Sequence, residues 1–386
     1  MEVVLYHHIY TTIGGYKTVY ATKGLQHNII SMLERYSALA YPRIGGLPVF
    51  AIFPLTENKI CCSKALRGGV DHAGRPKACV HNIVIDAILN PLSSSEDDTL
   101  YLPPLPDDKL FLTQPPEVMD VPYLPSRLKE RTTAEPFSSR AIEVLANDDF
   151  RKPFYLSLLL ATTALQNIFV KGDFSTLRQH ISSLLPLIPR PSRILLSFYS
   201  KELPIETVSK YGGSSLCCVN TTQEIPPNAP HIILDTNTTS NMPAMNQYCL
   251  YLKENENKEE ILKLVLLLER YAPSHPLTFD LYPILIKSFE SVKKAITSEG
   301  RPFTTLETIR PLMDSLSGFL FCGFDKFVLE ILRQVGIFLS QNYDDDSVVA
   351  SLVQINRYFN DPEISSEIKM RQIEILRNWV LNSLKT

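Results

Sequence analysis

The chain lacks the run of about twenty uncharged apolar residues that a membrane-spanning helix needs. Its strongest candidate, "ILKLVLLLERYA" from Ile261, is broken by Lys263, Glu269 and Arg270. A basic surplus is also missing. Lys and Arg number 38 against 41 Asp and Glu, and a net charge of −3 gives no electrostatic reason to expect nucleic acid or an anionic membrane. The 17 Tyr and 18 Phe are spread through apolar runs instead of being interleaved with Lys and Arg, so no stacking platform on a basic track is visible. "MEVVLYHHIYTT" has no basic stretch ahead of an apolar one, so no secretory signal is expected. These absences predict a soluble, cytoplasmic chain with no nucleic-acid partner and no membrane span.

Chemical signatures are scarce too. There is no GxxxxGK[ST], no GxGxxG after a strand and no GxSxG, so no nucleotide or other cofactor is expected. Gly172 in "VKGDFSTLR" falls between a predicted strand and helix, but Asp173 would repel phosphate, and a plain turn with a capping acid is the better reading. Asp344, Asp345 and Asp346 have the wrong spacing for a calcium loop and read as a solvated turn. The seven cysteines contain no CxxC. Cys61-Cys62 and Cys217-Cys218 are adjacent, while Cys79, Cys249 and Cys322 stand alone, a pattern of buried cytosolic thiols.

What is present is a folded chain, 45% hydrophobic and 20% charged, too long at 386 residues for one ordinary core. Residues 1–125 read as a β-rich α+β domain. "VVLYHHIYTTI" and "YKTVYATKG" form a hairpin across Gly14-Gly15, and "PVFAIFPL" and "KICCSKAL" a second one across Thr56-Glu57-Asn58. Leu25, Ile29, Met32, Leu33 and Tyr36 have helical spacing between them. Proline and acid concentrate over residues 91–138, which read as a linker or extended arm. Residues 126–245 read as an α/β domain, with strands at "NIFVKG", "RILLSFYS", "SLCCVN" and "HIILDT" alternating with helices and implying a mostly parallel sheet. Residues 246–386 read as all-helical. The expected class is thus a multidomain α+β and α/β chain with a helical C-terminal region.

One stretch, "GGVDHAGRPKACVHNIVID" (residues 68–86), reads like a site. Asp71, His72, Cys79 and His81 are competent zinc ligands, and Cys79 and His81 would share a face on a strand. Their spacing matches no common structural-zinc pattern, so no metal is assigned. The same types could serve a hydrolase or metal-dependent enzyme, with Cys79 as nucleophile, but "KACVHNIV" looks like a strand entering a core. In the structural alternative Gly68, Gly69 and Gly74 supply φ > 0 turn positions, and Asp71 caps backbone amides. His81 is then a core histidine bonded to backbone or Asp71, and Arg75 is left for a partner.

The order of elements around this loop resembles the N-terminal domain of the bacterial GTPase-associated protein 1 family. Gly24-Leu25, Gly69, Asp71, Gly74, Arg75, Pro76 and His81 occupy the places of that family's pattern, although Ala78-Cys79 stands where a glycine-phenylalanine is usual. Leu185-Pro186, Arg193 and Ser197-Phe198 match its middle domain. The resemblance covers about residues 1–200. It implies a non-enzymatic adaptor or scaffold, a protein–protein interaction device that works beside a small Ras-like GTPase in bacterial conflict or signalling systems. Asp71, Gly74, Arg75 and His81 would form its partner-binding loop.

Overall fold

Val, Ile, Tyr and Thr fill the first two predicted strands, residue types that suit a pleated, half-buried surface. In the computed structural model this N-terminal run divides at Leu5 into β1 (Glu2–Val4) and β2 (Tyr6–Thr11), followed by β3 (Lys17–Ala21). The structure describes residues 2–12, 15, 17–40, 49–56, 59–70, 73–74, 76–86, 127–129, 137–163, 168–172, 174–190, 192, 197–200, 215–219, 225, 228–273, 277–342 and 365–383. β2 and β3 form the expected antiparallel hairpin, with a bulge between Ile9 and Tyr10. Helix α1 (His27–Ala40) follows, then the long hairpin of β4 (Val49–Thr56) and β5 (Lys59–Val70), and β6 (Pro76–Asp86). β6 lies between β5 and β2, antiparallel to both. Of the predicted linker, the described residues include β7 (Arg127–Lys129), paired antiparallel with β1.

Because side chains alternate along a strand, β2, β5 and β6 each present two faces. α1 covers one of them. Ile29, Leu33 and Tyr36, spaced by four and three residues, enter one buried cluster with Tyr10, Phe53, Leu55, Cys61, Ala65, Val80 and Val84. The Tyr36 and Phe53 rings meet there at 4.4 Å.

Helices α2 (Phe137–Ala146) and α3 (Pro153–Thr163) come next, then β8 (Ile168–Lys171) and α4 (Phe174–Leu184). α3 buries nearly every residue, as a helix apolar on all sides must. Strands β9 (Ser197–Ser200), β10 (Ser215–Val219) and β11 (His231–Ile233) run parallel with β8 in the order β11-β8-β10-β9. β12 (Thr238–Ser240) closes that edge as an antiparallel hairpin strand. The parallel pattern read from the sequence is therefore present. Its separation from the N-terminal strands is not, because β9 pairs antiparallel with β4 through Tyr199↔Ala51 and Phe198↔Ile52. Among the described residues one ten-stranded sheet results, in the order β12-β11-β8-β10-β9-β4-β5-β6-β2-β3. Phe169 of β8 also joins the cluster beneath α1.

The expected division at 1–125, 126–245 and 246–386 differs from the two compact units observed. Met1–Glu135, Pro153–Leu185 and Ser192–Pro243 make the first, mixed α/β unit, and Pro136–Lys152, Pro186–Pro191 and Ala244–Thr386 make the second. In the second unit α2 is joined by α5 (Gln247–Glu254), α6 (Lys258–Arg270), α7 (Leu281–Val292), α8 (Leu306–Phe321), α9 (Asp325–Asn342) and α10 (Ser366–Ser383). Side-chain oxygens start the first two of these. Asn246 Oδ1 accepts from Cys249 N, and Asn257 Oδ1 from Glu259 N and Glu260 N. Among the described residues, no helix is long and apolar enough to cross a membrane.

Candidate functional site: the β5–β6 hairpin and the histidine layer

The stretch singled out in the sequence is the far end of the β5–β6 hairpin. Its ladder runs from Lys59↔Asp86 to Val70↔Pro76, with a register shift between Arg67 and Val70. Gly68 and Gly69 therefore sit in β5 at a bulge, not in the turn expected for them; glycine eases that distortion because it has no Cβ. Gly74 does have the expected turn conformation, at φ +74°. A Cβ there would meet nothing within 4 Å, so the backbone angle alone calls for glycine. Ala73 and Gly74 are exposed, and Val70 is 58% exposed at the hairpin end. Asp71, His72 and Arg75 lie outside the described residues.

Cys79 and His81 share a face of β6, as their spacing predicted, and both are buried. Cys79 is 2% exposed and packs with Ile9, Val19 and Tyr20. His81 is 3% exposed, and its Nε2 lies 3.0 Å from Nδ1 of His7. His7 is a partner that the sequence did not point to; Asp71, the expected one, lies outside the described residues. One ring of the pair donates and the other accepts, so two neutral imidazoles satisfy the contact. Burial pushes the His81 pKa well below its ordinary value; the neighbouring His7, His8 and Lys64 push in the same direction.

The opposite face of the same strands, under α1, carries a second polar group. His8 of β2 stands across the ladder from Asn82 of β6. Asn82 Nδ2 lies 3.0 Å from His8 Nδ1 and donates to Ser37 Oγ at 3.0 Å. His8 Nε2 lies 2.8 Å from Thr18 Oγ1, which donates to Glu34 Oε1 at 2.6 Å. Burial lowers the His8 pKa to about 4 although Glu34 raises it. Cys61 donates weakly to Asn82 Oδ1 at 3.8 Å, and burial holds this thiol protonated, with Cys62 adding to the effect.

No protein-family model and no curated protein matches the chain.

Sequence reasoning found His81 but missed His7, His8 and Asn82. A signal was present. Consecutive histidines on a strand must point to opposite faces, and Asn82 follows His81 for the same reason. Among the described residues, no three His, Cys, Asp or Glu side chains gather as metal ligands do. Cys61, Cys62, Cys79, Cys249 and Cys322 are buried thiols outside any disulfide. A nucleophilic cysteine works as an accessible thiolate in an electropositive setting. Cys79, inside the sheet, has no such access. The described groups are arranged to hold β2, β6 and α1 in register.

Proposed function

We propose that the chain is a non-enzymatic adaptor, acting in the cytoplasm beside a small Ras-like GTPase of a bacterial defence or signalling system. One observation carries the reading: Cys79 and His81, the reactive types of the motif, point into the sheet, while the hairpin end carries exposed Val70, Ala73 and Gly74. A catalytic loop would present the reverse. The resemblance of residues 1–200 to the GTPase-associated family supplies the partner class, with Asp71 and Arg75 as further contacts. The helices from Gln247 onward would serve a second partner.

A pull-down from native lysate, with and without a GTP analogue, tests this. Tagged full-length protein should enrich a small GTPase in one nucleotide state. Val70→Glu, a change at an exposed position, should weaken capture about tenfold, equivalent to about 1.4 kcal/mol. Enrichment of no GTPase in either state would overturn the assignment.

A further inference from the structure

We propose that His8 and Asn82 form a two-position, proton-operated switch, in which half a turn of the Asn82 carboxamide accompanies protonation of His8 Nδ1. The hydrogen-bond polarity fixes the first position. Thr18 has one hydroxyl proton and gives it to Glu34 Oε1, so Thr18 Oγ1 must accept from His8 Nε2–H. Nδ1 of the neutral ring is then bare and takes one amide hydrogen of Asn82; Ser37 Oγ takes the other. The Ser37 hydroxyl proton has no acceptor in this arrangement among the described residues.

Rotating the carboxamide puts Oδ1 where Nδ2 now lies. It can then accept from both a protonated His8 Nδ1 and the Ser37 hydroxyl, while Nδ2 turns to the Cys61 sulfur. The imidazolium keeps its Nε2–H bond to Thr18 and, through it, to the Glu34 carboxylate. One proton enters at Nδ1, one amide rotates, and every polar atom of the group keeps a partner. Two arrangements of similar hydrogen-bond count are what a bistable element requires.

The charges around His8 set which arrangement prevails. From α1, Glu34 favours the cation, while Arg35 is exposed. From β6 and β2, His81 and His7 lie on the opposite face, where Lys64 of β5 joins them. On the covered face β5 contributes the Cys61 thiol and β3 contributes Thr18. Burial outweighs Glu34, so the neutral arrangement holds at neutral pH and the switch turns near pH 4. Through Ser37, Glu34 and Thr18 it reports to α1 and to the edge strand β3.

Long-range nitrogen–proton NMR on the full chain reads the switch directly. At neutral pH His8 should carry its proton on Nε2, with Nδ1 bare. Asn82→Asp places a fixed acceptor at Nδ1 and should raise the His8 midpoint by about 1–3 pH units. Glu34→Gln, at the half-exposed end of the relay, should lower the midpoint and leaves the buried packing alone, so it decides the matter if the Asn82→Asp chain does not fold. A proton found on Nδ1 at neutral pH, or a midpoint that Glu34→Gln leaves in place, would overturn the proposal.

Discussion

At the scale of single residues, two of the buried histidines, His8 and His81, dictate how stability should respond to acid. Both have folded pKa values below the ordinary 6.5, His8 at about 4. As pH falls through 6.5 the unfolded chain takes protons that the folded chain refuses, so stability falls with pH until the folded value is reached. His8 alone should cost about 2 kcal/mol between pH 7 and pH 5. The paired carboxylates of Glu260 and Glu330, lowered chiefly by hydrogen bonds from Lys293 and Arg333, add their losses only at still lower pH. Urea unfolding at a series of pH values measures this. A His8→Gln chain should lose correspondingly less over the same interval, and a wild-type stability that stays flat from pH 7 to 5 would contradict the buried neutral state. The sequence allowed part of this to be read. Gly74 and the core placement of His81 were visible in local pattern; the His7-His8 doublet marks a histidine on each face, but not that His7 meets a ring 74 positions away. Gly68 and Gly69 were misread because glycine serves a bulge and a turn for the same reason.

At the scale of elements, strands and helices with strong periodicity were legible, and so was α3, whose unbroken apolar run marks a buried helix. α8 carries Pro311 inside it, and proline inside a helix removes one amide from the ladder. The loss is offset by packing against α7, where Gly318 lets the two helices approach. A Cβ at Gly318 would fall inside contact distance of Ser288 Oγ and 3.3 Å from Ser288 Cβ. Gly318→Ala should therefore destabilise by about 1–3 kcal/mol through overpacking, despite the better helix propensity of alanine. Ser288→Ala in the same chain removes the offending hydroxyl and should recover most of the loss. Thermal melts of the single and double variants decide it: a Gly318→Ala chain as stable as wild type would mean that α7 and α8 have slack between them.

At the scale of the whole molecule, composition marked a boundary over 91–138, and the first division between the units, at Glu135 and Pro136, falls inside it; the chain passes between them again near residues 152, 185, 191 and 243. Most of those crossings lie outside the proline- and acid-rich stretch, because each unit is assembled from three separate segments. Residues 244–386 expressed alone would lack α2, which packs on α6, and Pro186–Pro191, in which Leu187 O accepts the Tyr248 hydroxyl at 2.6 Å. That fragment should bind hydrophobic dye and melt without a sharp transition; a cooperative melt matching the full chain would show that the helices after Pro243 suffice. The sheet has its own consequence for biosynthesis. β4 is complete at Thr56, but its outer neighbour β9 ends at Ser200. At a synthesis rate of roughly 5–20 residues per second, the nascent antiparallel half waits about 7–29 s with an open strand edge before its partner exists. Open edges recruit other chains. Ribosome-associated chaperones that cover this edge, or fast codons between Thr56 and Ser200 that shorten the wait, should thus raise the yield of native protein.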